Sequence, residues 1–312
     1  MRAFLLFLFC VTIFYADNYK DALAYLNKIR HSSGLPALRV DYRLKRAAYA
    51  HARYLAASGE KGHEERRGSK EYSGMTPSSR IVKAGYSTRV VVENISFGER
   101  RYADSIDTLL STVYHRLAFL DMRVDSIGIA RAGRYRSVFV YDMSLSSIER
   151  LCGKAHSSVE GEYIYGVCAD SSIKLPAGLF KKALRDIESK SAKIVCYPFE
   201  GARNIPLGFV HERPDPVANL KNAGYPITIS FNPAYYGRVS MKSFRLYRDG
   251  KRVKGVKILS RANDPYAKLR ENTFVLIPRN RLHKNSSYRV EFRANAGGKS
   301  LLKSWSFHTG ER

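Results

Sequence analysis

Apolar residues recur at helical spacing through the first part of the chain. Tyr19, Ala22, Leu23, Leu26 and Ile29 form one stripe, with Asp17 as the expected cap and Gly34 and Pro36 closing the helix. Leu44, Ala47, Ala48, His51 and Leu55 form a second. Thr76, Pro77 and Gly85 bracket a short third helix, with a capping hydroxyl, a proline in the first turn and a glycine just past the end. After "VVVENISFG", the stripe Ile106, Leu109, Leu110 and Val113 predicts one further helix. Continued into "YHR" at roughly 100° per residue, it places His115 about opposite Ile106. "SIGIAR" and "YRSVFVYDM" then alternate as strands around an "AGR" turn.

The pattern changes at about residue 190. "YPITISFN" and "NTFVLI" read as strands, and "SFRLYRDGKRVKGVKIL" as a hairpin turning at Asp249-Gly250. Tyr288, Val290 and Phe292 alternate with Arg289, Glu291 and Arg293, and Trp305 and Phe307 repeat the pattern. "GGKS" lies in that last hairpin and lacks the upstream glycine of a phosphate loop. Strands with turn signals and no helical stripe predict a small antiparallel β-sandwich. The Pro-containing run "YPFEGARNIPLGFVHERPDPVANLKNAGYP" is expected to have little regular structure. The fold class is α+β: a helix-and-strand unit over residues 17–150, a connector over 151–190 and a sandwich over 191–312.

Residues 1–16 add a compartment. Arg2 precedes the apolar run Ala3 to Tyr15, which ends at Ala16-Asp17, as in a secretory signal peptide. The run is shorter than the roughly 20 apolar residues that span a bilayer. Export to the periplasm or beyond is therefore expected. Cleavage would discard Cys10 and leave Cys152, Cys168 and Cys196, an odd number with three possible pairings. Cys152 and Cys168 flank a Gly- and Ser-containing loop and are the favoured bridge. Cys196, in "KIVCYP", is expected to be a buried free thiol.

The net charge of +25 is unevenly shared. Residues 17–150 carry 23 Lys and Arg against 15 Asp and Glu, and residues 151–312 carry 29 against 13. The second half would attract anionic polymer, lipid head groups or nucleic acid. Candidate chemistry lies in the first half. His63, Glu93 and His115 are ligand types of a borderline divalent metal. "HEERR" lacks the second histidine of a metalloprotease helix, no G-x-S-x-G occurs, and no cysteine of this half supplies a nucleophile. Other roles stay open: His51 as a satisfied core residue, His63 as an exposed loop residue, Glu93 on loop amides, and His115-Arg116 paired with Asp121 or Asp125.

The series "LNKIRHSSGLPALRVDYRLKRAAYAHARYLA", "GHEE", "TPSSRIVKAGY", "VVVENISFG" and "YHR" resembles a bacterial CAP domain over about residues 20 to 145. This is the superfamily of cysteine-rich secretory, antigen 5 and pathogenesis-related 1 proteins. The run "YPFEGARNIPLGFVHERPDPVANLKNAGYPITISF" resembles the entry to an Ig-like domain in the "YHR" branch of that family. The resemblance implies an α-β-α sandwich followed by an Ig-like β-sandwich. It also implies a cleft of His and Glu side chains, which in some members binds zinc. His63, Glu93 and His115 match the cleft motifs, with Glu65 the candidate for the second glutamate. Asn94 is a supporting residue, and Arg116 an orienting or ligand-contacting residue paired to a carboxylate. Val92 replaces the glycine usual before "EN", and the tryptophan often found before His-Arg is absent. The implied function is an exported CAP-domain module for a lipid or cell-wall ligand, with no established catalysis. The alternatives are a divalent-metal-dependent hydrolase using Glu93 as ligand or base, and a structural surface protein binding anionic polymer through its sandwich.

Overall fold

The computed structural model describes residues 18–134, 137–154, 156 and 161–311. The expected signal peptide, Cys10 and the Asp17 cap lie outside these. The first helix, α1 (Tyr19–Ser32), is capped instead by Asn18, whose side chain accepts from the backbone N–H of Lys20 and Asp21. The short strand β1 (Arg39–Val40) leads into α2 (Tyr42–Ser58), capped by Asp41. Helix α3 (Pro77–Lys83) begins with a reciprocal Thr76–Ser79 capping box behind Pro77, and Gly85 follows it at φ 86°.

Next come β2 (Val92–Phe97), α4 (Tyr102–Leu110), α5 (Tyr114–Phe119), β3 (Ser126–Ala132) and β4 (Val138–Ser144). The sheet order is β1-β3-β4-β2, antiparallel except for β1 with β3, so β2 is an edge strand. Side chains of β4 alternate between two helical layers. Val138 and Val140 pack with Ala48, Ala52 and Leu55 of α2. Phe139 and Tyr141 pack in the cluster that holds Leu26, Ile106 and Leu109 of α1 and α4. Both faces are covered, so β4 is buried at every position. Gly128 permits the close fit of α2: a Cβ there would lie 2.1 Å from the carbonyl carbon of Leu44.

The connector holds more structure than its composition suggests. Helix α6 (Ser146–Cys152) enters the Cys152–Cys168 disulfide; β5 (Tyr163–Ile164), β6 (Leu175–Pro176) and the amphipathic helix α7 (Ala177–Glu188) follow. Cys196 is the buried free thiol, and burial pushes its pKa up to about 12.

The second half comprises β7 (Ile194–Tyr197), β8 (Ala202–Ile205), β9 (Ile227–Phe231), β10 (Val239–Arg248), β11 (Lys251–Arg252), β12 (Val256–Leu259), β13 (Thr273–Pro278), β14 (Ser287–Ala296) and β15 (Lys299–Thr309). They form two sheets, β11-β10-β14-β15-β8 and β12-β13-β9-β7. Phe231 and Phe274 of the second meet Phe292 of the first at ring distances of 5.4 and 5.1 Å, joining the sheets in one core. Asp249 and Gly250 turn the expected hairpin, both with positive φ. Its return arm divides, because β11 pairs with β10 while β12 crosses to β13 of the other sheet. The Pro-containing run also yields one strand, β8, which pairs in parallel with the last strand, β15.

Candidate functional site

The helix expected to run from Ile106 through His115 is two helices. Ser111 and Thr112 hydroxyls donate to the Asp107 and Leu109 carbonyls at the end of α4. The buried carboxylate of Glu212, from the run before β9, then caps α5. Val113 N–H donates to Oε1 at 2.6 Å and Tyr114 N–H to both oxygens at 3.1 Å. A carboxylate at the positive end of a helix is favourable in charge as well as in hydrogen bonding. The break turns α5 so that each residue of "YHR" meets the second half of the chain. The Tyr114 hydroxyl donates to Asp264. His115 Nδ1 lies 2.9 Å from Glu212 Oε2. Arg116 donates through Nε to Leu110 O at 2.6 Å and through Nη1 to Pro226 O.

Arg116 therefore does not line the cleft and, among the described residues, makes no ion pair with a carboxylate. Its guanidinium is buried between the faces of Tyr197 and Tyr225, at 4.9 and 4.5 Å from their centroids. Asp121, one suggested partner, is instead held by both terminal nitrogens of Arg270 at 2.8 and 2.5 Å. Asp125 accepts from Ser146.

His63 and Glu93 do come together. His63 Nδ1–H donates to Glu93 Oε1 at 2.8 Å, and Arg80 Nη2 donates to Oε2 at 2.8 Å. Burial alone would raise the Glu93 pKa, but the His63 hydrogen bond and the Arg80 charge overcome it and hold the group at about 2. Across the ladder, Glu93 faces Asp142 of β4, whose buried carboxylate oxygens meet no hydrogen-bond donor. Burial first, and the Glu93 charge second, raise the Asp142 pKa well above the ordinary value.

Glu65 and His51 lie behind this pair. His51 Nδ1 is 2.8 Å from Glu65 Oε1, and Nε2 is 3.1 Å from the Gly62 carbonyl, so His51 is a satisfied core residue. Glu65 also accepts from Ser73 and Gly74 N–H, fixing the loop that carries His63. It supports the site from the interior and does not line it. Asn94 points to the opposite face of β2, where Nδ2 donates to the His115 carbonyl at 2.8 Å. Arg80, Asp142 and Glu212 are not apparent as site residues in the sequence. A lone acid on the inward face of "VFVYDM" is a readable sign for Asp142, whereas "VHERPDP" carries none for Glu212.

His63, Glu93 and His115 line one cavity of about 550 Å³ along the free edge of β2. Its far wall comes from the second half, including Arg213, Phe231, Arg261 and Lys268. His63 is 46% exposed at its side chain and His115 17%. With each Nδ1 committed to a glutamate, Nε2 is the ring atom left for the cavity. Zinc does not fit this donor set. Among the described residues no group of three His, Cys, Asp or Glu side chains is placed to hold a metal ion, and Arg80 occupies one oxygen of Glu93.

Residues 23–142 match the family model described as CAP, the cysteine-rich secretory protein family. Among solved structures, the chain is similar to an outer surface protein from Borrelia burgdorferi, at 22% identity over 41% of this chain and 91% of that one, TM-score 0.36. It is also similar to an extracellular protein containing a SCP domain from Bacillus anthracis str. Ames, at 17% identity over 40% and 39%, TM-score 0.36. A third is a cysteine-rich secretory protein from Staphylococcus aureus subsp. aureus Mu50, at 17% identity over 40% and 39%, TM-score 0.30. The match spans about two fifths of the length of the latter two. No curated protein matches the chain. No helix among the described residues is long and apolar enough to cross a membrane.

Proposed function

We propose that this protein is an exported, ligand-binding CAP module whose cleft is closed by an Ig-like second domain. The observation that carries the reading is the cavity shared by the two halves, large enough for a small molecule and lined by His63, Glu93 and His115. Its apolar wall, with Leu117, Met122 and Phe231, suits the acyl or polyprenyl part of a lipid or cell-wall precursor. The Cys152–Cys168 disulfide supports an oxidising compartment, and the leader-like residues 1–16 support export. The test is displacement of a fluorescent fatty-acyl probe from the full mature chain. Wild type should bind with 1:1 stoichiometry, and Ala118→Trp, which fills the cavity, should lose the probe while keeping its thermal transition. Equal binding by both chains would overturn the reading.

A second reading, retention on an anionic polymer, is favoured by the excess of 29 basic over 13 acidic residues in positions 151–312. It predicts elution from immobilised polyanion at a salt concentration that the cavity-filling substitution does not change.

A further inference from the structure

The charges around the cavity do not cancel. On the wall near α5, Asp121 is engaged by Arg270 through two hydrogen bonds, with Arg123 at 3.5 Å. Glu93 is matched by Arg80 and His63. Arg213, Arg261 and Lys268 also line the cavity, and their side chains make no ion pair with any described residue. Two further carboxylates, Glu188 and Glu271, line it as well. Glu188 is buried, at 9% exposure, whereas Glu271 is exposed. Three unmatched cations thus face the mouth against one freely exposed carboxylate.

These cations come from separate places in the second half. Arg213 lies one residue beyond Glu212, which is itself fixed on α5. Arg261 and Lys268 flank Asp264, which accepts from Tyr114 and from the backbone N–H of Lys268 and Leu269. The contacts that dock the two halves through α5 therefore also set where the three positive charges stand. An anion at that mouth would gain charge-assisted hydrogen bonds from guanidinium and ammonium groups, and the matched carboxylates would not repel it.

We infer that the cavity takes an anionic ligand of the phosphate class, with its oxyanion held by Arg213, Arg261 and Lys268 at the mouth and its apolar part against Leu117, Met122 and Phe231. This rests on the ligand-binding reading above and adds the chemistry of the head group. The same chemistry is offered by a phosphorylated lipid or by free phosphate.

The experiment is calorimetric titration of the full mature chain with decyl phosphate, decyl glucoside and inorganic phosphate below their micellar ranges. The triple variant Arg213→Gln, Arg261→Gln, Lys268→Gln is titrated in parallel. All three side chains are exposed, so the variant should keep the wild-type melting transition. Decyl phosphate is expected to bind at least about tenfold more tightly than decyl glucoside, and the triple variant should abolish that preference. Inorganic phosphate binding as tightly as decyl phosphate would also support the inference and would identify the free ion as the source. Equal binding of both decyl compounds, unchanged in the variant, would overturn the anion site and leave the ligand-binding reading standing. Binding of none of the three would remove both.

Discussion

Glu212 Oε2 lies 2.9 Å from Nδ1 of His115, a residue 97 positions earlier in the chain. One carboxylate thus orients a cleft imidazole and starts the helix that carries it. The family-matched segment ends at residue 142, so this cleft is completed from outside it.

Glu212→Ala should leave the N–H groups of Val113 and Tyr114 without acceptors in a buried setting. The expected loss is on the order of 2–3 kcal/mol, read from chemical denaturation. Hydrogen exchange at Val113, Tyr114 and His115 should accelerate well beyond that of β4. A uniform acceleration across both elements would speak against a local capping role.

Arg116→Ala removes a guanidinium packed between two tyrosines, orphans the Pro226 carbonyl and leaves the Leu110 carbonyl with the Tyr225 hydroxyl as its donor. The loss should reach about 1–3 kcal/mol, and Arg116→Lys should recover only part of it, because an ammonium cannot reproduce the planar fork. Full recovery with lysine would show that charge alone matters there.

The Glu93–Asp142 pair fixes a pH dependence with opposite signs. Glu93, depressed from 4.5 to about 2, contributes stability that is present above 4.5 and lost as pH falls toward 2. Asp142, raised well above 3.8, contributes in the reverse sense: its favourable contribution is present below 3.8 and lost as pH rises toward its folded value. Asp142→Asn should therefore gain stability relative to wild type as pH rises from about 4 to about 7.5. Urea midpoints at the two pH values measure this, and a constant gap would mean that folding does not raise the Asp142 pKa.

Replacing both Cys152 and Cys168 by alanine opens a loop with a sequence separation of 16. About 3 kcal/mol should be lost. The change should fall on the segment where Ala169 N–H donates to Ser87 O and Arg89 N–H to Val167 O. The His63 and Glu93 resonances should move little, since neither touches the bridge.

Much of the framework is legible in the sequence because its causes are local. The Thr76–Pro77–Gly85 punctuation, the Asp249-Gly250 turn and the stripe ending at Leu55 each depend on residues a few positions apart. His51 is legible as core for the same reason. The division between α4 and α5 is not, because the group that imposes it is 97 residues downstream of His115. The role of Arg116 differs from the expected one because its partners, Pro226, Tyr197 and Tyr225, belong to the other half of the chain. Glu93 and His63 are legible as a pair of chemical types, but Arg80 and Asp142 join them only through strand register and helix docking.

The parallel pairing of β8 with β15 joins Ala202 to Phe307 and Ile205 to Thr309. No local turn prepares this contact, and a long stretch of chain must be closed into a loop before it rewards anything. A chain that emerges amino end first presents β8 unpaired until β15 is available. The second half should thus be the late and slow part of folding, with an open strand edge to be shielded in the interval. Since Glu212 and Pro226 lie between these two strands in sequence, α5 and its histidine would settle last as well. The cleft would mature only when β15 has arrived.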